Sequence, residues 1–303
     1  MMTIAMIGIG AVGAVYANLL NQDETTELYC VMDDKRKERY VREGMNVNGK
    51  ETNLNYVTPS EVNKGIDYVI FTVKNTQLHA AMDLAQSIVD ERTTFLSLLN
   101  GIDSERELSE RFGEDRVLYG LTNGIDATKN LHDVFYTYPG TLYFGEKRNE
   151  QITERVQQLQ AVFERAQIPS VVPVDMERQL WHKFMVNVGV NAVSAISRST
   201  HGVLRDSEEL LNVSKRAMNE VIQVANANNI DLTERMVDEF FENVWTKVGY
   251  SGKTSMLQDI EAKRKSENDY FAKRVIEMAK KHGIPVPVNE TLYAFVHHEE
   301  KRF

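Results

Sequence analysis

Apolar residues follow two patterns along the 303-residue chain. In the first, short apolar runs at residues 3–7, 27–32, 67–73, 95–99, 117–121 and 141–144 read as strands, largely of the kind buried on both faces. Residues 14–20, 35–43 and 152–167 carry helical spacing. Asn48-Gly49 marks a hairpin over 47–57, and a polar link covers 127–133. Residues 168–175, with Pro169 and Pro173, read as an extended connector. Beyond it the pattern is helical throughout, over 176–196, 207–228, 233–248, 256–282 and 289–303. The expected architecture is α/β over residues 1–174, then all-α over 175–303, with a cleft between.

The first strand runs directly into Gly8-Ile9-Gly10-Ala11-Val12-Gly13, a G-x-G-x-x-G turn in a strand–turn–helix setting. The first glycine permits a tight turn, the second lets backbone approach a pyrophosphate, and the third lets helix and strand pack closely. The helix start then offers N–H groups and a partial positive charge to the phosphates. Asp33 stands twenty residues past Gly13, where an acidic side chain can accept from ribose hydroxyls. A carboxylate there repels a 2′-phosphate, so NAD is favoured over NADP, although Lys35 and Arg36 follow and Asp33 or Asp34 could simply cap a helix. Lys74 and Asn100 lie just past two further strands, where parallel sheets bind ligands, which makes both cofactor or substrate candidates.

Composition narrows the function. The 42% hydrophobic and 26% charged content is that of an ordinary soluble globular protein. A formal net charge of -9 argues against a nucleic-acid-binding surface. The single cysteine, Cys30, forms no intrachain disulfide and fits a cytoplasmic setting. Residues 1–22 carry no charged side chain, but three glycines interrupt them and their end turns polar, so they read as strand, turn and helix and not as a membrane span or signal peptide. His282, His297 and His298 have no convincing ligand partners, so no metal site is expected.

In the helical half, the apolar stretch 180–196 carries Lys183, Asn187 and Asn191 at spacings of four, which stack on one helical face. An ammonium among apolar neighbours needs a partner or a cleft. Further on, Ser255, Asp259 and Glu267 fall at intervals that put all three on one side of a continuous helix. Ser255 or Thr254 is its N-cap, and Asp259 could pair with Lys263.

GIGAVG at 8–13, FTVK at 71–74, LLNG at 98–101, LWHKFMVN at 180–187, SMLQDI at 255–260, Glu267 with Asp269-Tyr270, and HGIPVP at 282–287 together resemble the ketopantoate reductase family over essentially the whole chain. The resemblance implies a Rossmann-type dinucleotide-binding domain over 1–174 joined to a helical substrate domain over 175–303, and reduction of 2-dehydropantoate to (R)-pantoate, toward pantothenate and coenzyme A. It also implies Lys183 as general acid and Glu267 as a substrate-binding and catalytic carboxylate. Asn187, Asn191 and Ser255 then hold substrate, Lys74 and Asn100 flank the nicotinamide, and Asp259 supports the site. An apolar cleft would lower the Lys183 pKa and a neighbouring Glu267 would raise it.

Two features depart from the family pattern. Members that use NADPH commonly carry Arg where this chain has Asp33, and Gly252-Lys253-Thr254 replaces a Ser-rich lead-in to Ser255. A second reading is therefore an NAD-dependent D-2-hydroxyacid dehydrogenase of the D-mandelate type, acting on bulky 2-keto acids. A non-catalytic nucleotide-sensing Rossmann protein is a third, opposed by the presence of both Lys183 and Glu267. The partner expected is a small-molecule 2-keto acid. Whether the C-terminal helices cover one another within a chain or pack in a homodimer stays open.

Overall fold

A computed structural model describes residues 1–62 and 65–303. It divides into two compact units, Met1–Glu177 and Arg178–Phe303.

The first unit begins with β1 (Met2–Ile7), α1 (Ala11–Leu20), β2 (Thr26–Val31), α2 (Asp34–Glu43), β3 (Asn46–Val47), β4 (Lys50–Glu51) and β5 (Tyr56–Val57). It continues with β6 (Tyr68–Phe71), α3 (Leu78–Gln86), β7 (Thr94–Ser97), α4 (Ser104–Phe112) and β8 (Val117–Asn123). Then come β9 (Thr128–Asn130), β10 (Asp133–Phe135), β11 (Thr141–Gly145), α5 (Glu154–Arg165) and β12 (Ser170–Val171). The parallel core is ordered β5-β2-β1-β6-β7-β8, the 3-2-1-4-5-6 order of a doubly wound dinucleotide-binding sheet. β11 pairs antiparallel with β8, and β12 closes that edge.

Strand alternation builds two cores, one on each face of the sheet. Ile4 and Met6 of β1 join Leu28, Ile70 and Leu96 against α1 and α5. Ala5 and Ile7 join Val31, Phe71 and Phe95 against α3 and α4. Register puts Ile7 beside both Val31 and Phe71, and Phe71 beside Ser97. The segments after β1, β2, β6 and β7 therefore leave the sheet from one edge, where order reverses between β1 and β6 and such folds bind ligands.

Two sequence expectations change in this unit. The hairpin around Asn48-Gly49 joins only β3 to β4, while Tyr56 and Val57 pair parallel with β2. Both turn residues hold positive φ, which Asn-Gly provides readily, so the hairpin is two residues deep on each side. Residues 127–133, expected as a polar link, instead supply β9 and the start of β10, which pair with each other, and β10 pairs with β3 in a small second sheet. α4 carries few apolar residues, burying mainly Leu108 and Phe112, so periodicity does not announce it.

The second unit is helical. It is built from most of α6 (Met176–Ser197), α7 (His201–Asp206), α8 (Glu208–Ala227), α9 (Glu234–Glu239), α10 (Ser255–Glu261), α11 (Ala272–His282) and α12 (Pro287–Glu300). Gly189 lets α6 lie against α8, since a Cβ there would sit 2.3 Å from the Met218 Cγ. Buried Glu220 of α8 accepts from the backbone N–H groups of Val288 and Asn289, both at 2.9 Å, and so anchors the first turn of α12.

Two long helices expected here are interrupted. Residues 233–248 form α9, a π turn at Phe240–Val244 and a 3₁₀ turn at Trp245–Lys247. Residues 256–282 form α10, a 3₁₀ turn at Asn268–Tyr270 and α11. α10 stops at Ala262 because Lys263 takes φ 53°, a left-handed conformation that ends a helix. No helix among the described residues is long and apolar enough to cross a membrane.

Candidate active site

In the first unit the glycine turn divides its work between folding and openness. Gly8 holds φ 110°, and a Cβ on it would lie 2.7 Å from the Thr72 carbonyl carbon. A Cβ on Gly13 would lie 1.9 Å from the Gly8 carbonyl oxygen, which also accepts from the Thr72 hydroxyl. Both glycines are therefore demanded by the contact of β1 and α1 with the chain leaving β6. Gly10 differs: a Cβ there meets nothing within 4 Å. It is the N-cap of α1, with no side-chain cap and no acidic residue in the first turn. An open backbone position at an uncapped helix start fits a dinucleotide diphosphate.

Asp33 stands two residues past β2 as the N-cap of α2, where Oδ1 accepts from the Arg36 N–H at 2.8 Å and Oδ2 lies 3.5 Å from the Arg36 Nε. Capping and ribose recognition are compatible in one carboxylate, because two oxygens offer about four acceptor sites. Lys74 is exposed and precedes a 3₁₀ turn at Asn75–Gln77. Sequence reasoning passed over Asn75, whose buried amide donates to the Asn100 carbonyl at 2.8 Å and ties the segments after β6 and β7 together.

Behind Asn100 lies a second device missed from sequence. Ser97 Oγ donates to Ser104 Oγ at 2.7 Å, and that hydroxyl donates to the Glu105 carboxylate at 3.0 Å. Ser97 Oγ also accepts from the Leu99 N–H at 3.2 Å, which fixes the strand exit. Burial pushes the Glu105 carboxyl up to about 7, against the lowering effect of its own N–H and the Ser104 and Gly120 bonds. The folded state thus favours the protonated form, and ionising it opposes folding. That cost is absent below the ordinary value of 4.5, grows as pH rises towards 7 and is complete above it. Its size is about 3 kcal/mol. Glu105→Gln keeps the shape and removes the titration. The unaltered chain should therefore lose stability relative to this variant between pH 5 and pH 8 in denaturant titrations; parallel losses would contradict the assignment.

In the second unit, α6 runs unbroken, so Lys183, Asn187 and Asn191 share one stripe. Phe184, Val188 and Val193 are buried around it, Asn191 is 5% exposed, and Lys183 and Asn187 are half-buried. Two turns dock onto this helix. At one end Thr254, the N-cap of α10, accepts from the Leu257 N–H and donates to Ser194 Oγ at 3.2 Å. At the other, Phe271, four residues past Glu267, packs against Phe184 with ring centroids 6.4 Å apart.

The geometry expected for Ser255, Asp259 and Glu267 is corrected here. Ser255 is the first residue of α10 and not its cap, a role Thr254 takes. Ser255 and Asp259 do share α10, but Glu267 lies beyond its end, before the turn at Asn268–Tyr270. Asp259 is buried and pairs with Arg264, Nε to Oδ1 at 3.0 Å, because the left-handed Lys263 brings Arg264 back over the helix end.

A doubly wound sheet with an open glycine turn, joined to a helical unit carrying an ammonium–amide stripe, defines a dinucleotide-dependent oxidoreductase. Family models described as ketopantoate reductase PanE/ApbA and its C-terminal region match residues 4–149 and 175–300. The chain belongs to the ketopantoate reductase family, whose members are oxidoreductases acting on CH–OH and C=O groups. A 2-dehydropantoate 2-reductase from Pyrococcus horikoshii is 28% identical, covering 99% of this chain and 98% of its own. In fold, the chain is similar to D-mandelate dehydrogenase solved with NADH and anilino(oxo)acetate, TM-score 0.89 at 23% identity, covering 99% of each chain. It is also similar to a ketopantoate reductase from Ralstonia eutropha, TM-score 0.84 at 24% identity, again covering 99% of each.

Proposed function

We propose that this chain reduces 2-dehydropantoate to (R)-pantoate, with residues 1–174 binding NADH and residues 175–303 binding the keto acid. Bound nicotinamide supplies the hydride. The backbone from Gly8 through Ile9, Gly10, Ala11 and Val12 to Gly13 receives the diphosphate, Asp33 accepts from ribose hydroxyls, and Lys74 and Asn100 border the nicotinamide end. Lys183 stabilises the charge developing on the carbonyl oxygen and gives that oxygen its proton. Asn187, Asn191 and Ser255 bind the substrate's polar groups, Glu267 orients substrate, and Asp259 holds the end of α10 through Arg264.

The observation that supports this reading most is the α6 stripe with the turns before Ser255 and after Glu267 packed on that same helix. The test is initial rates with 2-dehydropantoate and with benzoylformate, each with NADH and NADPH. The proposal expects 2-dehydropantoate with NADH to be fastest; no turnover of either acid would overturn it. Benzoylformate as the faster acid would favour the second reading, a D-2-hydroxyacid dehydrogenase, which the Asp33 carboxylate also suits.

Cofactor choice has its own test. Asp33→Asn keeps the α2 cap, because Asn caps as well as Asp, and removes only the charge. The NADPH-to-NADH ratio of kcat/KM should rise at least about tenfold once the like-charge repulsion is gone. An unchanged ratio would remove Asp33 from cofactor discrimination.

A further inference from the structure

The small second sheet has a use that the fold alone does not require. It carries Lys129, in β9, to the glycine turn: the ammonium donates to the Ile9 carbonyl oxygen at 2.8 Å and to the Tyr40 hydroxyl at 2.9 Å. The Tyr40 hydroxyl, from α2, donates to the same carbonyl at 2.9 Å. Lys129 Nζ also lies 5.0 Å from the Tyr40 ring centroid, and Tyr40 stacks on Tyr56 at 5.3 Å. Ile9 and Tyr40 are buried and Lys129 is half-buried. Two separate elements, β9 and α2, thus converge on one peptide oxygen.

That oxygen belongs to the Ile9–Gly10 peptide. No described peptide bond is cis, and in a trans peptide the carbonyl and the N–H point opposite ways. Holding the Ile9 carbonyl from one side therefore sets the direction of the Gly10 N–H on the other. A cation on the carbonyl also polarises the peptide and makes its N–H a stronger donor, as in any hydrogen-bonded chain. Gly10 is the position where backbone meets the pyrophosphate in such turns, and here it is the glycine whose surroundings are open.

We propose that Lys129, with Tyr40, is a positioning residue for the dinucleotide diphosphate, acting through the Ile9–Gly10 peptide. This rests on the dinucleotide-binding reading above. The role is specific to phosphate, so it separates ligands that differ only there. ADP carries the diphosphate and adenosine lacks it.

The experiment measures ADP and adenosine binding by titration calorimetry on the full chain and on Lys129→Met, Lys129→Arg and Tyr40→Phe, with thermal melts to show folding. Lys129→Met should weaken ADP at least about tenfold, the scale of one hydrogen bond that involves a charge. Adenosine should stay within about twofold. Lys129→Arg should recover part of the ADP affinity, and Tyr40→Phe, which removes one of the two donors to Ile9, should show a smaller selective loss. In turnover, Lys129→Met should raise the dinucleotide KM and leave kcat near that of the unaltered chain. Equal losses for ADP and adenosine, or no loss of ADP, would overturn the proposal while leaving dinucleotide binding intact. Failure of the unaltered chain to bind ADP would overturn both. If Lys129→Met does not fold, Tyr40→Phe carries the same selective test.

Discussion

Lys183→Met lowers kcat for the keto acid by about 10²–10⁴-fold, the usual span for a lost general acid. Met fills the same space on the half-buried face of α6, so the surrounding Phe184 and Val188 packing is preserved. Dinucleotide affinity, which the proposal assigns to the glycine turn, should stay unchanged. The check is steady-state kinetics together with NADH titration on the folded variant. A loss confined to KM would reduce Lys183 to a binding group, and near-normal turnover would remove it from the chemistry.

Gly13→Ala and Gly10→Ala separate what the turn does for folding from what it does for ligand. At Gly13 the added methyl meets the Gly8 carbonyl oxygen at 1.9 Å, a backbone atom that cannot move aside. The expected cost is about 3 kcal/mol or more. Against a total stability of about 5–15 kcal/mol, that is enough to depress yield and melting temperature visibly. At Gly10 the methyl touches nothing and the backbone, at φ −79°, accepts Ala without strain. Melting should hardly change, yet in the proposed reading the methyl projects where the diphosphate approaches, and the dinucleotide KM should rise about tenfold or more, worth about 1.4 kcal/mol. Thermal melts and kinetics on both variants decide this; similar melting temperatures for the two would contradict the division.

Much of this was legible in the chain itself. The first, second, fourth and fifth strands of the parallel core are apolar runs flanked by the residues that matter, so the sheet and its glycine turn could be read directly. The stripe on α6 followed from spacing alone, because an unbroken helix turns a four-residue repeat into one face. The same arithmetic failed for Glu267, since a single left-handed residue, Lys263, ends α10 and resets the phase. Nothing local in the sequence announces that. β9 and β10 were hidden for a different reason: these three-residue strands pair with each other, and β10 is held by β3, eighty-seven positions away for the Asn46–Asp133 side-chain bond, whereas periodicity sees only neighbours. Lys129 and Asn75 were missed with them. Each is an ordinary polar residue until tertiary structure supplies its partner.

The central claim is the proposed passage of a hydride from reduced nicotinamide to the keto carbon of 2-dehydropantoate. Its most direct test is a reaction with NADH deuterated at the transferable position and 2-dehydropantoate, with the product examined by mass spectrometry and chiral chromatography. The account predicts (R)-pantoate carrying one deuterium at C2 for each NADH consumed. NADH left unconsumed, or a hydroxy acid free of deuterium, would contradict it.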